Sequence, residues 1–236
     1  MTFTWNLQIF LQQNGGGQTY LGWLMSAWGW TMSVALCSLL VALLVGSLMG
    51  ILRTTPSKGL VFLGNAWTEL FRNIPLLVQV FLWYHVIPSI FVSLRAVPSF
   101  VLVVFALGFF TSSRISEQIK AGIQSLSQGQ RHAGLALGLT LPQTYRYVLL
   151  PMAFRIVIPP LTSESMNIIK NSSVAFAVSI AELTMFAMQA QEETARGIEI
   201  YLAVTALYFV SAFAVNRIAL FIEGRVQVPG MIGGSK

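Results

Sequence analysis

The apolar positions fall into five long blocks, at about residues 27–52, 60–87, 99–123, 161–180 and 198–222, with polar stretches between them. A helix needs roughly 20 apolar residues to cross the hydrocarbon of a bilayer, so each block reads as one span. Composition points the same way. Of the 236 residues 55% are hydrophobic and 9% charged, where soluble domains carry about a quarter charged. The pattern predicts an all-α membrane protein with five spans and no soluble domain left over.

Polar residues inside the blocks are few and spaced for contact. Gly46 and Gly50 in the first block have the G-x-x-x-G spacing that lets two helix backbones approach. The second block carries Glu69 and Arg72, three apart and able to meet on one helix face. Pro75 then kinks the helix. The pair serves either gating or packing. The second half of the third block is polar, with Arg114 and Glu117 again three apart, and Arg114 reads as part of an interior ion pair. In the fourth block, after Pro159-Pro160, the residues Glu164, Asn167 and Asn171 lie at i, i+3 and i+7, one face of a helix. Lys170 stands beside them. Charged and strongly polar groups in a span avoid lipid, so this face suggests the lining of a polar pathway.

The net charge of +6 comes from basic residues spread singly, which sets membrane orientation rather than nucleic-acid binding. No Lys or Arg precedes Arg53. The loop from Lys120 to Arg155 carries Lys120, Arg131, Arg146 and Arg155 and no acidic residue. The positive-inside rule therefore places the N-terminus outside, with the 53–58 loop, the 124–155 loop and the C-terminus in the cytoplasm. Arg95, in an outside turn from Pro88 to Pro98, is the exception. Residues 1–26 lack the basic start and apolar core of a signal peptide and read as a retained external segment. Trp5 and Trp23 in this segment, with Trp28 and Trp30 just after it, suit an interfacial aromatic belt. The membrane domain runs over 27–225, residues 181–197 form an outside loop, and 226–236 form a cytoplasmic tail.

Between the third and fourth blocks lies a polar, helix-coded island, Ser127 to Pro160. Ser127 with Gln130, and Thr140 with Gln143, have capping-box spacing. Pro142 is allowed in a first turn, and Gly138 suits a left-handed helix end. Leu141, Tyr145, Val148 and Leu149 share one face. The island predicts two short helices meeting at a glycine elbow. The small residues Ala133, Gly134 and Ala136 let another surface come close to the first helix.

The island resembles the cytoplasmic signature loop of ABC importer permeases, the "EAA" loop, through His132, Ala133, Gly134, Gly138, Leu150 and Pro151. His132 stands in place of the Glu and Gly134 in place of the second Ala. Glu69, Arg72, Pro75 and Leu77-Val78-Gln79 resemble the first part of the polar amino acid branch of those permeases. Glu117, Lys120, Ser125, Gly129 and Gln130 match its approach to the loop. Lys170-Asn171-Ser172-Ser173-Val174 resembles its Lys-Asp-Thr-Ser-Leu motif, with Asn171 replacing the carboxylate. The nearest likeness is to bacterial importers of glutamate and aspartate.

The resemblance implies a five-span type I ABC importer permease in the bacterial inner membrane. Its coupling helix, with His132, Ala133, Gly134, Leu135 and Gly138, would dock on a separate ATPase. Implied partners are a second permease chain, identical or different, two ATPase subunits and a periplasmic amino-acid-binding protein. ATP-driven closure of the ATPases would push on the elbow and switch access. The chain has no phosphate-binding loop of its own. ATP and Mg belong to the partner, and no cofactor is expected on this chain. Glu164, Asn167, Lys170 and Asn171 would line the pathway. With no Asp, two His and the lone Cys37, neither a metal site, a disulfide nor an enzyme of its own is indicated. The alternative is a stand-alone secondary transporter or channel using Glu69, Glu117 and Glu164 for ion coupling.

Overall fold

Ten α-helices make up most of the computed structural model, which describes residues 5–226. They are α1 (Tyr20–Leu52), α2 (Lys58–Asn73), α3 (Leu76–Phe81), α4 (Ile87–Ile90), α5 (Ser99–Gln124), α6 (Gln128–Ala136), α7 (Leu141–Thr144), α8 (Leu150–Asn171), α9 (Leu183–Thr194) and α10 (Gly197–Val226). Among the described residues α1, α5 and α10 are each long and apolar enough to cross a membrane, and two bent pairs of helical segments raise the count to five. The expected cytoplasmic tail lies outside the described residues, apart from its first residue, Val226.

Helix boundaries differ from expectation in places. The 33 residues of α1 reach ~50 Å, more than a bilayer core of about 30 Å, so the helix begins at Tyr20, ahead of the apolar block. The second block is broken at Ile74-Pro75, where α2 ends and α3 begins. Pro75 supplies no N–H and holds Ile74 extended. The turn expected from Pro88 to Pro98 is partly helical, and Arg95 donates to the carbonyls of Pro88 and Ser89 at 3.1 and 3.4 Å. Its positive charge thus has a local structural use. Pro159 and Pro160 lie inside α8 rather than ahead of it.

Contacts divide the chain into two units. The first holds the described residues up to Ser38, Leu76–Leu107 and Asn167–Phe213. Its core joins Ile9, Tyr20, Leu24 and Ala27 to Leu183, Phe186, Ala187, Ala190, Ile200 and Val204. Trp23 stacks edge-on against Phe186 at 5.1 Å, and the Trp28 indole donates to Ser211 at 2.8 Å. These two rings pack inside the unit instead of forming a belt, whereas Trp5 is exposed. Glu182, fully buried, caps α9 by accepting from the Thr184 and Met185 amides and from the Tyr208 hydroxyl. The Thr31 hydroxyl accepts from the Leu183 amide at 3.1 Å.

The second unit holds Leu39–Pro75, Gly108–Met166 and the described residues from Ala214. Here the glycine pair is a true contact. A Cβ on Gly46 would sit 2.7 Å from Ile115 Cβ and from the Ser112 carbonyl, and one on Gly50 would sit 2.7 Å from Ile119 Cβ. Gly122 on α5 meets Val157 on α8 just as closely. Trp67, Phe71 and Phe109 form an aromatic knot, and the Trp67 indole donates to Ser112 at 3.0 Å.

Contact order fixes helix directions within each unit. Gly46 and Gly50 meet residues 112–119 in rising order, so α1 and α5 run parallel. Asn6 bonds Glu199 and Trp28 bonds Ser211, so the chain leading into α1 runs parallel to α10. Gly122 meets Ala153 and Val157 while Gln118 meets Glu164, so α5 and α8 are antiparallel. Replacing Gly50 with leucine drives a side chain into α5, an overpacking worth about 1–3 kcal/mol. The purified variant should melt well below the parent in a thermal aggregation assay, and an unchanged midpoint would show that the contact is not tight.

Candidate functional site

The elbow is built as the sequence predicts at its second half and differently at its first. Gln143 accepts from the Thr140 amide at 2.8 Å, completing a capping box at the start of α7. Gly138 has φ +80°, and the Gly138 and Leu139 amides turn back to the carbonyls of Leu135 and Gly134. This closes the end of α6 in the left-handed manner glycine allows. The Ser127–Gln130 box is not formed. Ser127 makes no side-chain cap bond, and the Gln130 amide oxygen is buried with no partner among the described residues.

From Leu141 the chain is helical through a π turn, Tyr145–Leu149, into α8, so the second short helix is the start of a long one. Tyr145 and Leu149 are buried, and Leu141 and Val148 half-buried, on the expected face. Gly134 is the small position that matters in α6. A Cβ there would lie 2.7 Å from Thr144 Cγ2, so the close-approaching surface is the chain's own second helix. The Tyr145 hydroxyl donates to the Thr54 carbonyl at 2.6 Å, tying the elbow to the end of α1. A cavity of about 410 Å³ opens beside this bond, lined by Arg53, Thr54, Ser127, Arg131 and Tyr145 among others. His132, Ala133, Leu135 and Gly138 are exposed. Leu137 is 82% exposed. The sequence reading passed over Leu137, although an apolar residue just before a helix-ending glycine in a polar loop was a signal.

A charge network joins α1, α2 and α5. Arg53, 8% exposed, donates to Asn65 at 2.8 Å, to Ser116 at 3.2 Å and to Glu117 at 2.9 Å. Arg72 donates to the same Glu117 oxygen at 3.1 Å. The expected pairs within one helix are therefore replaced by pairs between helices. Arg72 takes Glu117 rather than Glu69, which is exposed, and Glu117 takes Arg53 and Arg72 rather than Arg114. A buried guanidinium such as Arg53 needs several acceptors. Glu117 on the facing helix provides what a neighbour three residues along cannot.

Glu164, Asn167 and Asn171 all belong to the continuous α8, so their spacing does place them on one helical face. Glu164 is buried, Asn167 and Asn171 are half-buried and Lys170 is exposed. Glu164 accepts from the Gln118 amide at 3.4 Å, and Arg114 approaches its other oxygen at 4.0 Å. Sequence reasoning did not count Arg114 among the site residues, because spacing alone paired it with Glu117.

A helical membrane protein with an exposed elbow and charge networks inside its spans has the build of the membrane subunit of a transporter. A family profile described as the inner membrane component of binding-protein-dependent transport systems matches residues 42–228. The chain belongs to this family: it is the permease component of an ABC importer, with ATP hydrolysis and its nucleotide on a separate subunit. Membership displaces the stand-alone transporter reading and places the chain as a multi-pass inner membrane protein. The glutamate/aspartate import permease protein GltJ of Escherichia coli strain K12 is 42% identical over 99% of this chain and 100% of its own length. The probable glutamine ABC transporter permease protein GlnM of Bacillus subtilis is 34% identical over 84% and 90%. Among solved structures, an amino acid ABC transporter crystallised with histidines superposes with TM-score 0.76 at 28% identity, covering 87% of this chain and 95% of that one. The MetNI methionine transporter shares the fold at TM-score 0.72 and 19% identity.

Glu117→Gln leaves Arg53 buried without its carboxylate, a charged hydrogen bond worth about 1.5–3 kcal/mol. The variant should lose thermal stability in detergent, and the double change Glu117→Gln with Arg53→Gln should recover part of it. A double variant no more stable than the single one would contradict the pairing.

Proposed function

We propose that the chain is one of two permease subunits of an importer for glutamate and aspartate, working with a periplasmic binding protein and two ATPase subunits. The two permease chains are the same or different. Support for the substrate comes from GltJ, an import permease for glutamate and aspartate that matches along its whole length. The existence of GltK, 28% identical over 83% of this chain and 89% of its own length and named for the same import, supports a different second permease.

The observation that carries the coupling role is the exposure of α6. Its one fully buried residue is Gly134, seated on Thr144, while Leu135 and Leu137 stand 42% and 82% exposed in a loop with basic and no acidic residues. Apolar side chains held out by a braced helix favour docking with a protein surface. His132, Ala133, Gly134, Leu135 and Gly138 form this coupling element, and the ATPase receives it. On the positive-inside rule the elbow and C-terminus are cytoplasmic and the N-terminus periplasmic. Segments 1–26, 27–225 with its 124–155 loop, and 226–236 are then the external, membrane and tail parts.

Glu164, Asn167, Lys170 and Asn171 line the pathway by which the amino acid crosses. Asn171 leaves the charge of Lys170 without an adjacent carboxylate, which suits an anionic solute. Glu69 and Arg72 lie where the second block breaks, and Arg72 serves packing through Glu117. ATP-driven closure of the two ATPases loads the elbow and switches access from inward to outward.

Gly138→Val forces a branched residue into a left-handed conformation that costs about 1–2 kcal/mol. It should cut labelled glutamate uptake at least tenfold in cells lacking the native chain, with the ATPase still co-purifying. Normal uptake would refute the coupling role of the elbow. Cysteines introduced at His132 or Leu137 should cross-link to the ATPase subunit, and loss of the chain should abolish glutamate and aspartate uptake.

A further inference from the structure

We infer that Arg114 reads the side-chain carboxylate of the transported amino acid and makes the permease itself prefer acids over their amides. The inference rests on the importer reading above and adds a residue that neither the motifs nor the family match assigns.

Arg114 is the sixteenth of the 26 residues of α5, well inside a candidate span, and its side chain is 46% exposed. A permanent cation at that depth does not face lipid; it faces the protein interior, a partner or a water-filled passage. Its neighbours leave it unsatisfied. Among the described residues it makes no hydrogen bond. It has one cation–π contact, with Phe110 at 5.1 Å, and its ion pair with Glu164 is stretched to 4.0 Å. Arg53, just after α1, and Arg72 on α2 donate to Glu117 at 2.9 and 3.1 Å. Among the described residues no hydrogen bond occupies any of its five N–H donors, those of Arg114.

Chemistry then selects the ligand. A guanidinium offers only donors, in a planar fork that matches two carboxylate oxygens. An amide presents one oxygen and an NH2 whose hydrogens oppose that fork. Every amino acid carries an α-ammonium and an α-carboxylate, which cancel. The side-chain carboxylate is what separates glutamate and aspartate from glutamine, and a fixed cation reads that difference. The same cluster holds an acceptor for the ammonium: the Gln118 amide oxygen is buried and unpartnered, next to Glu164. A half-satisfied polar cluster of this kind is costly unless a ligand completes it.

The test bypasses the binding protein, which would filter substrates first. The permease–ATPase complex is purified in lipid nanodiscs, and labelled L-glutamate binding is measured in competition with L-aspartate and L-glutamine. In the parent, aspartate should compete well and glutamine at least tenfold worse. Arg114→Gln should weaken glutamate binding tenfold or more while changing glutamine binding less than threefold. Arg114→Lys, which keeps the charge but not the fork, should weaken glutamate binding and retain the preference for acid. Retained ATPase activity confirms assembly, and if Arg114→Gln does not assemble, the lysine variant decides: unchanged glutamate affinity overturns the inference. It is also overturned if Arg114→Gln binds glutamate within twofold of the parent, if Lys170→Gln abolishes the preference and Arg114→Gln does not, or if the double change Arg114→Gln with Glu164→Gln restores acid binding. That last result would make Arg114 a counter-charge for Glu164 alone. Failure of the importer reading is seen separately, as uptake that persists in cells lacking the chain.

Discussion

A guanidinium removed from water must find acceptors, and the buried Arg53 sets the arrangement of the second unit by that demand. Asn65 on α2 and Ser116 and Glu117 on α5 answer it, so three helices converge on one side chain. The neighbouring glycines make the convergence possible. Gly46 and Gly50 bring α1 against α5 closely enough for Arg53 to reach Glu117, and Gly64 leaves room for the arginine stem, whose Cγ would lie 2.6 Å from a Cβ there. Close backbone approach and polar reach are one design in a membrane, where small residues replace hydrophobic driving force as the means of packing helices.

That network also explains how an exposed elbow can act on helices some distance away. In the proposed coupling role, load on α6 passes through Gly134 to Thr144, one residue before Tyr145. The Tyr145 hydroxyl holds the Thr54 carbonyl, and Thr54 follows Arg53 in the chain. From Arg53 the path enters Glu117 and the body of α5. Each link is a close contact or a short hydrogen bond rather than a flexible tether. The capping box at Thr140 and the left-handed turn at Gly138 keep the two helices at a fixed angle. A lever needs stiffness at the bend, and the backbone supplies it without a large hydrophobic core.

Much of this was legible in the chain and some was not, for definite physical reasons. The five apolar blocks, the Gly138 elbow, the Thr140 cap and the Pro75 break are local: hydrophobic run length, φ preference and a missing N–H each act within a few residues. The glycine spacing at 46 and 50 was legible as an opportunity, but the partner helix was not. Ion pairing was misread because spacing along one helix reports which groups are neighbours, whereas burial decides which partners are needed. Glu69 is exposed and Arg53 is buried, and Glu117 pairs with Arg53. The prolines at 159 and 160 looked like a span boundary, yet they are absorbed into α8 because membrane helices tolerate interior proline when neighbours supply the bonds. Arg114 escaped for the same reason as Glu117: its exposure is a tertiary fact.

Arg53 and Arg114 together separate structure from function within one unit. Arg53 directly follows α1 and Arg114 lies within α5, and both have a carboxylate within ion-pair range, yet one is enclosed and closely bonded while the other is stretched and open. If lowest energy for the isolated chain were the only pressure, Arg114 would close on Glu164 as Arg53 closes on Glu117, or an apolar residue would stand in its place. An open guanidinium inside a span carries a standing cost, and stability in the empty state cannot account for it. A passing anion can, because it supplies the missing acceptors only while it is bound. A site that is complete only when occupied also releases its solute readily once the surrounding helices move, which an alternating-access permease needs more than it needs tight binding.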